Sequence, residues 1–292
     1  MIPAADPPLD TGPVTRRAPD GACDAHVHML AAPEEAPLWD GRVEDPAPGW
    51  TFDRYLAAYR AQCEALNVSR TVVVHSILYG TDNAVTARAV AALGRDRARG
   101  IGLVRDDATD ADLDVLVGAG IVGVRLNYVH GGVLSWDGVE AMAPRLAERG
   151  LHVQMLARAD HLPDLAPRIR AMPVDVVLDH MAWPAVAAGP AAPGFRALRD
   201  LVADRAAWVK LSAPYRVCAD PYDDALPLVR SLLDAAPERC VWGSDWPHIM
   251  LGDAARPRSG ALLDVLARAT DEAEWRTVLV DAPAALYGLS DN

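Results

Sequence analysis

Apolar residues in this chain gather into eight short β-prone runs, at 22–27, 71–75, 100–104, 121–126, 152–156, 175–178, 207–211 and 240–242. Between them apolar positions recur at i, i+3 and i+4, the spacing of a helix with one buried face. The predicted helices are 52–66, 84–93, 110–117, 138–148, 162–170, 195–202 and 222–233, with two more, 262–269 and 272–287, after the last run. Short buried runs alternating with helices predict a parallel sheet. Eight such units in 292 residues predict a single α/β domain, a (β/α)8 TIM barrel, with an extra C-terminal helix. A doubly wound open sheet is the competing fold, but no Gly-x-Gly-x-x-Gly follows any run. Residues 1–20 are Pro-rich and read as a flexible or surface-draped arm, leaving 21–292 for the barrel. The long aperiodic stretch 29–50 follows the first run, which in a barrel places it over the catalytic face.

Composition narrows the partners. The net charge of −12 argues against nucleic acid, whose binding depends on neutralising phosphates. No apolar run reaches the roughly 18–20 residues that span a bilayer, so no membrane partner is expected. Cys23, Cys63, Cys218 and Cys240 are scattered and unpaired in sequence, as suits a reducing cytoplasm. Lys210 is the only lysine and reads as codon bias rather than a signal. An acidic chain repels anions at long range, so any anion site must come from local arginines. Homo-oligomerisation through the outer helices is left open.

Barrels of this kind carry their reactive groups at the C-terminal ends of strands. Those ends offer His26 and His28, His75 and Ser76, Arg105, Arg125 and Asn127, Gln154, His180, Ser212, and Asp245 and His248. His26 and His28 stand two apart on a strand and so face the same way. Each position also has an ordinary structural reading. The histidine pair could be a strand-end turn, His180 a cap on a carbonyl, and Asp245 an N-cap for the turn at Trp246-Pro247. Arg125 is either a structural ion pair or an anion clamp, since guanidinium forks match carboxylates. Arg216 could clamp or lie exposed. Tyr128, Tyr215, Trp183 and Trp246 read as walls or core, and His130, His152 and His161 as loop or strand-surface residues.

Three segments together resemble the amidohydrolase superfamily. They are Asp24-Ala25-His26-Val27-His28, Leu178-Asp179-His180 and Trp242-Gly243-Ser244-Asp245-Trp246-Pro247-His248. Gly123-Val124-Arg125-Leu126-Asn127 and Leu211-Ser212-Ala213-Pro214-Tyr215-Arg216 narrow the resemblance to its branch of lactone hydrolases typified by 2-pyrone-4,6-dicarboxylate lactonase. The resemblance covers nearly the whole chain from about residue 20. It implies a (β/α)8 barrel that opens a lactone of a carboxylated small molecule. Asp245 would activate water, while His26, His28 and His180 polarise the carbonyl. Arg125 and Arg216 would grip substrate carboxylate, with Ser76, Tyr128 and Asn127 as further binding residues.

The chain also departs from the superfamily pattern. Metal-dependent members usually carry a lysine or glutamate on strand four and a histidine on strand five. Here those strands carry Arg125, Asn127 and Gln154, so a two-metal centre lacks its bridge. The expectation is chemistry without a cofactor. The alternative is one Zn²⁺ held by His26, His28, His180 and Asp245, ordinary zinc ligands, in a hydrolase or decarboxylase of an aromatic or heterocyclic acid. A barrel that merely binds a small acid would keep both arginines but has no need of Asp245.

Overall fold

Strands β1 (Cys23–Val27), β2 (Arg70–Val74), β3 (Ala98–Gly102), β4 (Ile121–Asn127), β5 (His152–Leu156), β6 (Val176–Leu178), β7 (Trp208–Ser212) and β8 (Cys240–Gly243) pair in sequence order, every pair parallel. The computed structural model describes residues 1–2 and 4–289. Position 3 of the arm, and 290–292 at the end of the segment assigned to the barrel, lie outside the described residues. The sheet closes at its C-terminal rim, where Asp245 N–H donates to His26 O at 2.9 Å and His28 N–H to Trp246 O at 2.8 Å.

Helices α1 (Phe52–Leu66), α2 (Ala84–Leu93), α3 (Asp110–Gly118), α4 (Trp136–Glu148), α5 (Leu162–Arg170), α6 (Pro193–Ala203), α7 (Leu226–Ala235) and α8 (Ser259–Ala269) alternate with the strands and follow β8. Their apolar stripes bury residues such as Leu56 and Tyr59 of α1 and Leu228 and Leu232 of α7. The barrel and the extra C-terminal segment are as expected; several boundaries are not. Helix α7 starts later than the expected 222, because Pro227 belongs in a first helical turn, where it has no N–H to satisfy. Strand β3 ends at Gly102, because the Asn83 side chain takes the next N–H, that of Leu103, at 2.8 Å. The predicted helix 272–287 is α9 (Glu272–Arg276) and α10 (Ala282–Tyr287), joined by a π-turn at Thr277–Asp281. No helix among the described residues is long and apolar enough to cross a membrane.

The barrel interior has two halves. Its lower half is apolar, built from Cys23, Ala25, Val72, Val74, Ile101, Val177 and Val241 and plugged by Ala282, Tyr287 and Leu289. Its upper half is polar and carries the site. Two devices fasten β1 to β8 there. Gly243 lies so close to β1 that a Cβ would stand 2.6 Å from His26 Cβ. Buried Asp24 accepts from Ser244 N at 2.8 Å and from the Ser244 hydroxyl. Residues of the arm contact the barrel: Gly260 N donates to Thr11 O at 2.8 Å, Trp50 Nε1 to Asp6 Oδ1 at 3.0 Å, and Ile2 N to Val43 O at 2.6 Å.

Candidate active site

The site begins with a β-bulge. Between Asp24 and Val27 the pairing of β1 with β2 gains one residue on β1. A bulge resets the in–out alternation. Ala25 can thus line the lower interior, while His26 meets the polar side chains of the upper half. A second departure from ladder geometry follows β6 and β8. His180 has φ 54° and Asp245 φ 61°, left-handed values uncommon for non-glycine residues and frequent at functional sites. At the end of β6 this breaks the alternation, so Asp179 and His180 both turn toward His26.

These elements bring four predicted residues together. Asp245 Oδ1 lies 3.6 Å from His26 Nε2, 3.6 Å from His28 Nε2 and 4.0 Å from His180 Nε2. All four side chains are buried. Neither Asp245 Oδ1 nor His26 Nε2 has a hydrogen-bond partner, so both are available to something placed between them. The far sides of the rings are occupied: His28 Nδ1 meets Val74 O at 2.9 Å, and His180 Nδ1 meets Ser212 Oγ at 2.8 Å. Burial pushes His28 down to about 3 and His180 to about 4, so both rings are neutral near pH 7. A carbonyl oxygen only accepts, so Nδ1 of neutral His28 carries the proton and its Nε2 presents a lone pair.

Asp245 is asymmetric. Its Oδ2 accepts from Arg216 Nη2 at 3.0 Å, from Arg216 Nε at 3.2 Å and from the Tyr215 hydroxyl. Burial alone would raise its pKa, yet the Arg216 guanidinium holds the carboxyl well below the usual carboxylate range. Oδ1 is thus the one unpartnered oxygen of a carboxylate that is ionised in the resting site.

A cavity of about 310 Å³ opens beside it, lined by His28, His180, Asp245, Arg125, Arg216, Asn127, His75 and His130. Ile77, Leu103, Leu134, Leu156, Trp183 and Ile249 supply apolar wall, and Ile2 and Met250 also border it. The 29–50 loop contributes no lining residue. It acts at one remove, pairing Val43 with Ile2 and holding Met250 N on Glu44 Oε2 at 2.6 Å. His26 lies one layer deeper than the lining.

The remaining predicted residues divide. Arg125 lines the cavity and also pairs with Asp179 Oδ2 at 3.4 Å, the ion pair that was one of its two sequence readings. Asn127 lines the cavity, and its Oδ1 accepts from His130 N at 3.0 Å. Ser76 is not brought to the cavity; it is buried beside it, and its hydroxyl caps a short turn at Leu78 N. Tyr128 is also outside, 38% exposed, its ring against His161. His75 is tied at both nitrogens, to Thr86 Oγ1 at 3.1 Å and Gly80 O at 2.7 Å. His248 is buried edge-on to Tyr215.

Sequence reasoning missed a group beneath His26. Lys210 is fully buried on β7, and its Nζ donates to Ala25 O at 2.7 Å and to Gln154 Oε1 at 2.6 Å, with His26 Nδ1 at 3.3 Å. Asp179 Oδ1 is 3.3 Å from the same Nδ1 and 3.7 Å from Nζ. The dismissal of this lysine as codon bias is therefore wrong; its place inside an apolar strand was the available signal, since an ammonium is buried only with partners. Tyr215 is likewise more than wall, and His152 is not a surface residue but lies under the site against Tyr287. All four cysteines are free.

A rim of histidines facing one strand-eight carboxylate, on an eight-stranded barrel, defines a hydrolase of the amidohydrolase type. Residues 23–289 match the family model described as "Amidohydrolase", and the chain belongs to that family, as the sequence resemblance implied. It is 34% identical over 296 residues to a 4-sulfomuconolactone hydrolase of Rhizobium radiobacter, covering 98% of this chain and 96% of that one. It is 33% identical over 285 residues to a 2-pyrone-4,6-dicarboxylate hydrolase of Comamonas testosteroni, covering 93% and 91%. Among solved structures, a putative 2-pyrone-4,6-dicarboxylic acid hydrolase of Pseudomonas putida superposes with a TM-score of 0.77 at 26% identity, over 93% of this chain and 99% of that one.

Proposed function

We propose that this protein hydrolyses the cyclic ester of a small carboxylated lactone, with Asp245 as general base and no metal in the reaction. The carrying observation is Asp245 Oδ1, a buried, unpartnered carboxylate oxygen faced by three imidazole nitrogens at the edge of a cavity that also presents two guanidinium groups. The likeness to hydrolases of sulfomuconolactone and pyrone dicarboxylate supports the substrate class.

The geometry supports a division of labour. A water between Asp245 Oδ1 and His28 Nε2 meets two acceptors, one for each of its hydrogens. Asp245 takes a proton as the water oxygen bonds to the lactone carbonyl carbon. The carbonyl π pair moves to oxygen, where His180, with Nδ1 on the Ser212 hydroxyl, donates from Nε2 in oxyanion-hole fashion. The ring C–O bond then breaks, and the departing oxygen takes the proton back from Asp245. Water has been added across one ester bond, giving a hydroxy acid or its keto tautomer. Arg125 and Arg216 orient the substrate carboxylate, with Asn127 nearby. Ser76 and Tyr128, lying outside the cavity, have no contact role in this reading.

A second reading has its own support. His26, His180 and Asp245 offer ligand atoms all within 4.8 Å of one another, and neutral imidazole with carboxylate is a zinc donor set. The residues fit one zinc ion, with the His28 Nε2 lone pair beside them. Bound there, zinc would supply Lewis-acid polarisation of the carbonyl. Assays of carboxylated lactones before and after exhaustive chelation separate the two: turnover should survive chelation, and loss restored by zinc would overturn the metal-free reading.

A further inference from the structure

We propose that Lys210 is a positioning residue that sets the tautomer of His26, placing the ring proton on Nε2 so that this nitrogen is a hydrogen-bond donor toward Asp245 and not a metal ligand. The inference rests on the metal-free hydrolase reading above. It begins with a donor count. An ammonium has three protons and accepts nothing. Two of the Lys210 protons go to Ala25 O at 2.7 Å and Gln154 Oε1 at 2.6 Å. The third faces His26 Nδ1 at 3.3 Å. The orientation of Gln154 follows from its neighbours, since its Nε2 donates to Asp179 Oδ2 at 3.2 Å and its oxygen must therefore meet the lysine.

Asp179 Oδ1 competes for the same ring atom, 3.3 Å from Nδ1. One nitrogen of a neutral imidazole either accepts from Lys210 or donates to Asp179; it does not do both. If it donated, Nε2 would turn a lone pair on the Asp245 Oδ1 lone pairs 3.6 Å away, an arrangement that needs a cation between them. If it accepts, Nδ1 is partnered by Lys210 and Nε2–H faces that carboxylate across 3.6 Å, a favourable charge–dipole contact. The contact with Lys210 is within hydrogen-bond distance at 3.3 Å, whereas Asp179 Oδ1 has no hydrogen-bond partner. His28 shows the opposite setting on the same strand, because its Nδ1 meets a carbonyl. One bulged strand thus carries a donor ring and an acceptor ring side by side.

The test is ¹⁵N NMR of the full-length protein labelled at histidine nitrogens, with His26 assigned by its absence in His26→Gln. The expected pattern is a protonated Nε2 and an unprotonated Nδ1, reversed in Lys210→Met. A wild-type ring protonated at Nδ1, or the same pattern in both proteins, would overturn the proposal. So would a zinc ion bound at His26 Nε2 in the purified protein. If Lys210→Met does not fold, Asp179→Asn serves instead. Removing the charge of the competing acceptor should leave Nε2 protonated, and a shift to Nδ1–H would overturn the idea. The tautomer is read without substrate, so failure of the lactone assay and failure here are distinguishable.

Discussion

Two buried carboxylates flank His26, and they differ in what lies on their far sides. Asp179 is enclosed: Lys210, Gln154 and Arg125 surround it, and it does not line the cavity. Asp245 lines the cavity, is gripped only at Oδ2, by Arg216 and Tyr215, and keeps Oδ1 without a hydrogen bond. Both are held well below the ordinary carboxylate range against a burial effect that would raise them. Charge state therefore does not separate them; access does. A carboxylate with a free face and a neighbouring space can take a proton from water, whereas an enclosed one can only orient its neighbours.

The largest effect expected from this contrast is in Asp245→Asn, which removes the base and leaves the shape. A positioned general base contributes roughly 10²–10⁴-fold, so kcat should fall by about 10³ with KM little changed. Asp179→Asn should lose less, roughly 10- to 100-fold, the scale of one charge-assisted hydrogen bond. Steady-state kinetics on the two variants decide it, and equal losses would break the distinction between reacting and orienting carboxylate.

Arg216→Ala comes next. It removes a cation that the substrate carboxylate and Asp245 both use, and a charge-assisted hydrogen bond is worth about 1.5–3 kcal/mol. KM for carboxylated lactones should rise roughly 10- to 100-fold. The pH profile should change as well. With Arg216 present, Asp245 stays ionised, so kcat/KM should show no loss attributable to the base between pH 8 and about 5. Without it, burial is no longer offset and the folded-state pKa rises, so activity should fall as pH drops through that raised value. A variant profile that matches the wild type would show that Arg216 does not depress the base. Arg125→Ala should raise KM by about tenfold without moving the acid limb, because its carboxylate partner is Asp179 and not Asp245.

The same contrast explains what was legible in the sequence. The barrel could be read because its strands are short continuous apolar runs and its helix faces recur with a period of 3.6. His26, His28, His180 and Asp245 could be found because costly residue types stood at the ends of apolar runs. What was hidden lies where the period breaks. The bulge in β1 and the left-handed residues at His180, Ala213 and Asp245 are tertiary features, and with them Asp179 and His180, and likewise Tyr215 and Arg216, all face the site. Lys210 was hidden differently. Its partners come from β1, β5 and the end of β6, so nothing near it in sequence marks a cage. Ser76 and Tyr128 show the reverse error, because a polar residue just past a strand can as easily cap the next turn as face the cavity.

The smallest predicted effect tests whether ring orientation matters independently of charge. Ser212 is buried on β7, two residues beyond Lys210, and its hydroxyl meets His180 Nδ1 at 2.8 Å. If the hydroxyl donates, it directs the ring proton to Nε2, where the carbonyl oxygen would sit. Ser212→Ala leaves every charge in place and frees the tautomer. A single neutral hydrogen bond is worth about 0.5–1.5 kcal/mol, so kcat should fall roughly two- to tenfold while KM holds. Ser212→Thr should restore most of the loss by returning a hydroxyl to the same strand position. Full activity in the alanine variant would mean that His180 is held by packing alone, and the carbonyl donor would then have to be sought at Arg125.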